Sequence, residues 1–129
     1  QDYVDAIFLL SQLEVQEGNT QEALESAEAA AFFQPNNPNV VFQVAVLREA
    51  TGDTDGAIVA LERVRALNPA FANARYVLAT LYAGAGDLEA ALLEIEAIAA
   101  TSEDNAEAVR DQLTALQAGE NPFDGVEAL

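Results

Sequence analysis

Carboxylates supply most of the side chains that could do chemistry in this chain. The sequence has 22 Asp and Glu residues against five Arg, and it contains no Cys, no His and no Lys. Without Cys there is no thiol nucleophile, disulfide framework or cysteine zinc site. Without His the usual acid–base group at neutral pH is missing, and without Lys there is no Schiff-base chemistry. Enzyme chemistry would have to run on carboxylates, hydroxyls and tyrosines alone.

The spacing of the carboxylates does not match a catalytic or metal-binding motif. Glu94 and Glu96 are two residues apart on a predicted helix, so they face different sides of it. The Asp-Thr-Asp-Gly segment at 53–56 lacks the later ligands of a calcium loop and continues into a predicted helix. We therefore expect no catalytic residue, no metal site and no cofactor, and we interpret the chain as non-enzymatic.

The formal net charge of −17 restricts the partners. Nucleic acids and anionic lipids are bound by basic surfaces, so neither is an expected ligand. The charge favours a protein or peptide partner that is basic or apolar. No apolar run approaches the ~20 residues that span a bilayer, so this segment is not expected to insert into a membrane. Two locations stay open: the cytoplasm, or tethering to a membrane through a segment upstream of Gln1.

Similar residues recur at intervals of 34 positions, which predicts a repeat. The clearest sets are Gly18, Gly52 and Gly86; Ala23, Ala57 and Ala91; Leu13, Leu47 and Leu81; and Phe8, Phe42 and Tyr76. Apolar residues have helical spacing on both sides of each glycine, and Asn19, Asp53 or Asp87 follows it as an expected N-cap. Each unit is thus predicted to be helix, tight turn, helix. The predicted helices are 3–17, 20–33, 38–51, 54–67, 72–85 and 88–101.

These units resemble the tetratricopeptide repeat, whose pattern is W-x2-L-G-x2-Y…A-x3-F…P. In the second unit the pattern positions are Val41, Val44, Ala45, Arg48, Ala57, Leu61 and Pro69. The resemblance covers about residues 4 to 105. It implies an all-α fold: a right-handed superhelical solenoid of three helix–turn–helix units plus a C-terminal capping helix. The repeats at about 4–37, 38–71 and 72–105 and the cap at about 106–118 would form one domain, 1–118, followed by a tail, 119–129.

Two large aromatic positions of the pattern are altered. The tryptophan position holds Ile7, Val41 and Arg75, and the tyrosine position holds Glu14, Arg48 and Tyr82. Residues one period apart are neighbours in a stacked repeat, so Glu14 and Arg48 are expected to meet as an ion pair. The alternative, two separate charges directed to solvent, stays open.

The resemblance further implies that the exposed residues of the first helices line a concave binding face. The candidate peptide-binding residues are Phe8, Gln12, Asn39, Phe42, Val46, Glu49, Asn73, Tyr76, Thr80 and Arg110. Phe8, Phe42 and Tyr76 form an aromatic ladder that either anchors a peptide or packs between helices. Family members that clamp a terminal carboxylate use Lys, Arg and Asn on this face, and here only Arg110 is basic. The expected function is a protein–protein interaction scaffold that binds a peptide segment.

An alternative function comes from a second resemblance. The segments 73–76 and 118–123 are similar to repeat domains that trail O-antigen-ligase-type membrane proteins of uncultured bacteria. This implies a non-catalytic C-terminal appendage of a larger bacterial membrane protein or glycan-assembly enzyme. The tail carries Phe123, Val126 and Leu129, which either dock on a groove or belong to a frayed terminus. Self-association through the tail or through the uncapped first repeat is a further possibility.

Overall fold

The computed structural model describes residues 19–123, which form seven α-helices and no β-strand. The helices are α1 (Thr20–Phe33), α2 (Pro38–Ala50), α3 (Thr54–Leu67), α4 (Ala72–Gly84), α5 (Leu88–Ala99), α6 (Glu103–Ala108) and α7 (Arg110–Gln117). The bounds of α1 to α5 agree with the predicted helices to within about two residues at each end. The predicted helix at 3–17 lies outside the described residues.

The turns after α2 and α4 have the same glycine-based geometry. Gly52 has φ 91° and Gly86 has φ 90°, the left-handed region that a side chain disfavours. The N–H of Asp53 reaches back over Gly52 to the carbonyl of Arg48 at 2.8 Å, and Asp87 repeats this arrangement after Gly86. These Schellman motifs satisfy carbonyls that the helix end leaves open. They turn the chain sharply into the second helix of each pair.

The acids after these glycines start the next helices, as predicted. The Asp53 carboxylate accepts the N–H of Gly56 at 3.0 Å, and the Asp87 carboxylate accepts the N–H of Ala90 at 3.1 Å. The prediction was wrong for Asn19, whose side chain makes no capping hydrogen bond to α1. Another asparagine does cap its helix: the side chain of Asn37 accepts the N–H of Asn39 at 3.0 Å at the start of α2.

The chain divides into two compact units between Pro69 and Ala70. In the first unit, α2 packs against both α1 and α3. Small side chains on α1 allow the close approach of α2, whose larger side chains fill the remaining space. This part of the core comprises Ala23, Leu24, Ala27, Val44 and Leu47. The prediction of one domain over 1–118 stays a prediction.

In the second unit, α5 is the central helix and contacts α4, α6 and α7. The core of this unit comprises Ala79, Ala83, Ala91, Ile95, Ile98, Val109, Leu116 and Phe123. Ile95 is completely buried. The second unit therefore joins one helix pair to the segment predicted as the cap.

Two short helices, α6 and α7, stand where one capping helix was predicted over about 106–118. The helix breaks at Val109, which has φ −110° and ψ 14°. Valine is β-branched and loses side-chain freedom in a helix, so a break is less costly there. Val109 and Leu116 are both buried against the core of the second unit. With the break at Val109, both side chains are buried in the core. The amphipathic pattern of the sequence did not indicate this break.

The beginning of the predicted tail is packed on the second unit. The Asn121 side chain donates to the Ala83 carbonyl at 3.3 Å and accepts the N–H of Phe123 at 2.8 Å. The Phe123 side chain is buried. Of the two alternatives for the tail, docking therefore holds as far as Phe123. Val126 and Leu129 lie outside the described residues.

Candidate functional site

One face of α2 carries four of the predicted site residues. Asn39 and Glu49 are exposed, Val46 is 40% exposed and Phe42 is half-buried. Pro38 begins the helix at a position where its missing N–H costs nothing, and the opposite face is held in the core by Val44 and its neighbours. The burial of that opposite face directs this face outward.

Glu49 is held in place at the end of this face. Its carboxylate accepts a hydrogen bond from the Thr54 hydroxyl at 2.9 Å, across the turn to α3. The carboxylate is exposed and can accept further hydrogen bonds. Glu49 therefore gives the face an acidic end at a fixed position.

The corresponding face of α4 carries Asn73, Tyr76 and Thr80. Asn73 is exposed, Tyr76 is 37% exposed and Thr80 is half-buried. The Thr80 hydroxyl donates to the Tyr76 carbonyl at 3.1 Å, so its proton is used within its own helix. The Thr80 hydroxyl can therefore accept a hydrogen bond from a ligand, and the Thr80 methyl group can make an apolar contact.

A cleft of about 190 Å³ opens beside Tyr76 in the second unit. Its lining comprises Ala72, Asn73, Tyr76, Ile98, Asn105, Ala108 and Val109. Sequence reasoning found Asn73 and Tyr76 but missed the contributions of α5 and α6. Ser102 is the sequence signal that could have indicated a helix at this side of the cleft. It caps α6 by accepting the N–H of Asn105 at 3.0 Å, and so helps to position α6 beside the cleft.

Phe123 fixes the ring of Tyr76 from another side. The two ring centroids are 5.6 Å apart at an interplanar angle of 88°, which is an edge-to-face pair. Tyr76 thus contributes both to the core contact with Phe123 and to the cleft. The sequence placed Phe123 on a tail and could not show which ring it would meet.

Arg110 is exposed and paired with its own helical neighbour. Its Nη1 lies 2.9 Å from Oε2 and 3.1 Å from Oε1 of Glu107. Both side chains are about two-thirds exposed, so the pair contributes little to stability. Arg110 is not among the residues that line the cleft.

The remaining predicted residues are distributed as follows. Phe8 and Gln12 lie outside the described residues, as does Glu14, the predicted partner of Arg48. Phe42 belongs to the first unit and Tyr76 to the second. The continuity of the aromatic ladder therefore stays a prediction.

The carboxylates of the described range do not form a reactive cluster. Glu94 is the buried acid there, and its Oε1 lies 2.9 Å from Nη1 of Arg75, while Glu96 is exposed. The two acids therefore face different sides of α5, as their spacing predicts. From residue 19 to residue 123, no group of three or more acids is arranged to hold a metal ion. In the same range, no helix has both the length and the apolarity to cross a membrane.

Comparison with known proteins gives a consistent family assignment. The model of the tetratricopeptide repeat family matches residues 48–117. The chain is similar to the P58(IPK) TPR domain, with 24% identity, a TM-score of 0.80 and 89% of this chain covered. It spans only 33% of that protein's chain. No curated protein matches the sequence significantly.

Two similar structures hold peptides. One is the Yersinia enterocolitica type III secretion chaperone SycD in complex with a peptide of the translocator YopD. It is 18% identical to this chain with a TM-score of 0.79, and the match covers 92% of this chain and 95% of that chain. The first TPR of Spaghetti (RPAP3), bound to the HSP90 peptide SRMEEVD, has 17% identity and a TM-score of 0.79, with 92% and 93% covered. At these identities the likeness is one of fold, and it confirms the predicted all-α repeat class. The predicted resemblance to O-antigen-ligase-type proteins finds no support here.

Proposed function

Because this chain belongs to the tetratricopeptide repeat family, we propose that it is a non-catalytic interaction scaffold that holds a peptide segment of a partner protein. The candidate binding surfaces are the outward face of α2 in the first unit and the outward face of α4 in the second unit. The bound peptides in SycD and in the TPR of Spaghetti support this class of function. They do not identify the ligand of this chain.

The observation that carries the proposal is the match between the two outward faces. Asn39 corresponds to Asn73 and Phe42 to Tyr76 at the repeat period, and all four side chains reach the surface at least in part. The amides can donate to and accept from a peptide backbone, and the aromatic rings offer apolar contact area. Within each face, an amide beside a ring suits a peptide, because its backbone can bond to the amide while an apolar side chain contacts the ring.

The acidic groups of these faces favour a basic or apolar peptide. Glu49 is exposed at the end of α2, and the charge of Arg110 is balanced by Glu107. A ligand with Arg residues between apolar side chains would complement both the exposed Val46 and the carboxylate of Glu49. This ligand differs from a terminal carboxylate, which needs a cluster of cations.

A titration with a defined peptide tests this proposal. The probe is acetyl-Gly-Leu-Arg-Leu-Arg-Leu-Gly-amide, and its affinity for the full chain is measured by calorimetry. Val46→Arg places a positive charge on the proposed surface, so we expect it to weaken binding by about tenfold or more. Leu93→Arg is the matched control, because Leu93 is 66% exposed on α5 and belongs to neither face. Equal effects of the two variants would contradict the proposed surface.

The other predicted roles stay predictions. These are self-association through the tail or the first repeat, and the role of an appendage to a larger membrane protein or glycan-assembly enzyme.

A further inference from the structure

A cavity lies in the first unit where the repeat pattern calls for large aromatic side chains. Val41 holds the tryptophan position and Arg48 the tyrosine position, and both line a cavity of about 200 Å³. The other lining residues are Ala31, Pro35, Val44, Val59, Ala60 and Arg63. Most of these lining residues are aliphatic, and two of them are arginines.

The second unit fills the same positions with an ion pair. Arg75 follows Val41 by one period, and Glu94 follows Ala60 by one period. Arg75 Nη1 and Glu94 Oε1 are 2.9 Å apart, and only 5% of the Glu94 side chain is exposed. Val41 and Ala60 are too short to occupy the equivalent space. In the second unit, the Arg75–Glu94 pair therefore stands at the positions that Val41 and Ala60 hold beside the cavity of the first unit.

Arg63 has hydrogen-bonding capacity beyond its contacts in the structure. Its Nε and Nη2 donate to the Pro35 carbonyl at 3.2 and 3.0 Å, and Nη2 also donates to Oδ1 of Asn36 at 2.7 Å. These acceptors are uncharged oxygens, and Nη1 takes no part in these bonds. In a chain with 22 acids, an arginine held by neutral groups next to an apolar cavity is well placed to receive a carboxylate.

Arg48 adds a second positive charge to the cavity. Its Nη1 donates to the Gly56 carbonyl at 3.2 Å, and its Nη2 lies 3.5 Å from Oε2 of Glu28. That ion pair is long and partly exposed, so it offsets little of the charge. Two of the five cations of the whole chain thus line one cavity.

We propose that this cavity is a docking site for a partner segment that presents one aromatic side chain beside a carboxylate. A cavity of about 150 Å³ suffices for a benzene ring, so the volume fits one aromatic side chain. The ligand ring would take the space that the repeat pattern assigns to its own tryptophan and tyrosine. The carboxylate would pair with Arg63 and Arg48, whose fork geometry suits it.

This site is distinct from the surface proposed above. At about 100° per residue, Val41 and Val44 lie about 120° and about 180° around the helix from the middle of the outward face. The two ligands also differ in charge, since the outward face favours a basic peptide. Failure of one proposal therefore leaves the other intact.

A nuclear magnetic resonance titration of the isotopically labelled full chain tests this inference. The probe is acetyl-Gly-Ser-Asp-Phe-Asp-Ser-Gly-amide, at about 0.15 M salt, where the Debye length of about 8 Å screens distant carboxylates. We expect saturable shifts confined to the residues around the cavity. Replacing the phenylalanine of the probe with alanine, or both aspartates with lysines, should weaken binding by about tenfold or more.

Variants of the chain separate specific docking from a general charge effect. Arg63→Gln should weaken binding several-fold, whereas Arg65→Gln removes a cation of the same helix that does not line the cavity and should leave binding unchanged. Val41→Trp should abolish binding by filling the cavity. If that variant does not fold, the comparison of the two arginine variants still decides. Equal losses for Arg63→Gln and Arg65→Gln, or shifts centred on Asn39 and Val46, would overturn the proposal. The proposal would also be contradicted if the chain self-associates and the probe does not compete with that self-association.

Discussion

At the residue scale, the ion pair between Arg75 and Glu94 replaces an aromatic side chain of the repeat. Both side chains are largely buried, and removing two charges from water is costly unless they pair well. The sequence marked Arg75 as a departure from the repeat pattern. It could not show the partner, because Glu94 lies on the next helix, among other acids of similar spacing.

Removal of one member of the Arg75–Glu94 ion pair should lower the free energy of unfolding far more than replacement of both members. Glu94→Ala leaves the Arg75 charge buried without its carboxylate, so we expect a loss of about 3 kcal/mol in the free energy of unfolding. The double variant Arg75→Leu with Glu94→Leu should recover most of that loss. Urea unfolding measures both, with the exposed Glu96→Ala as a control that should change stability by less than about 0.5 kcal/mol. Similar losses for Glu94→Ala and Glu96→Ala would mean that the pair does not stabilise the fold.

The cavity in the first unit shows the same limit of sequence reasoning. Val41 and Arg48 were recognised at the aromatic positions, but the cavity also depends on Ala60 and Arg63 of α3. A departure at one position can be compensated by a larger neighbour, as Glu94 does in the second unit. Only the packed structure shows which departures leave space.

At the element scale, the sequence predicted α1 to α5 from apolar residues at helical spacing, and it predicted α3 and α5 also from a glycine followed by an acid. The glycine needs a left-handed conformation, the acid caps the next helix and the apolar stripe packs inward. All three requirements are local. The break at Val109 and the docking of Phe123 depend on contacts distant in sequence, so the segment after α5 was the part predicted least well.

Two glycines near the end of α4 should respond oppositely to alanine. Gly86 has φ 90°, so Gly86→Ala should lower the free energy of unfolding by about 1 kcal/mol. Gly84 is the last residue of the helix, where alanine is preferred, so Gly84→Ala should raise it by about 0.5 kcal/mol. An added Cβ meets no atom within 4 Å at either site, so steric clashes do not complicate the comparison. Thermal and urea unfolding provide the measurement, and the same sign at both positions would contradict the turn geometry.

At the scale of the whole molecule, charge and repeat architecture together support the proposed class of function. The net charge of −17 disfavours nucleic acid and anionic membrane surfaces, and the repeat fold provides exposed helix faces. The fold class followed from the 34-residue period. The candidate site stays a prediction: family resemblance indicated which helix faces to consider, and the structure adds how far each described side chain is exposed.

The central claim is that the outward face of α2 binds a peptide, and Phe42→Ala tests it most directly. Affinity for the Leu-Arg probe and the free energy of unfolding are measured on the same variant. If Phe42 is an anchor, binding should weaken by about 1–3 kcal/mol with a smaller loss of stability. A stability loss of about 3 kcal/mol or more with unchanged affinity would show that Phe42 packs between helices and would contradict the account.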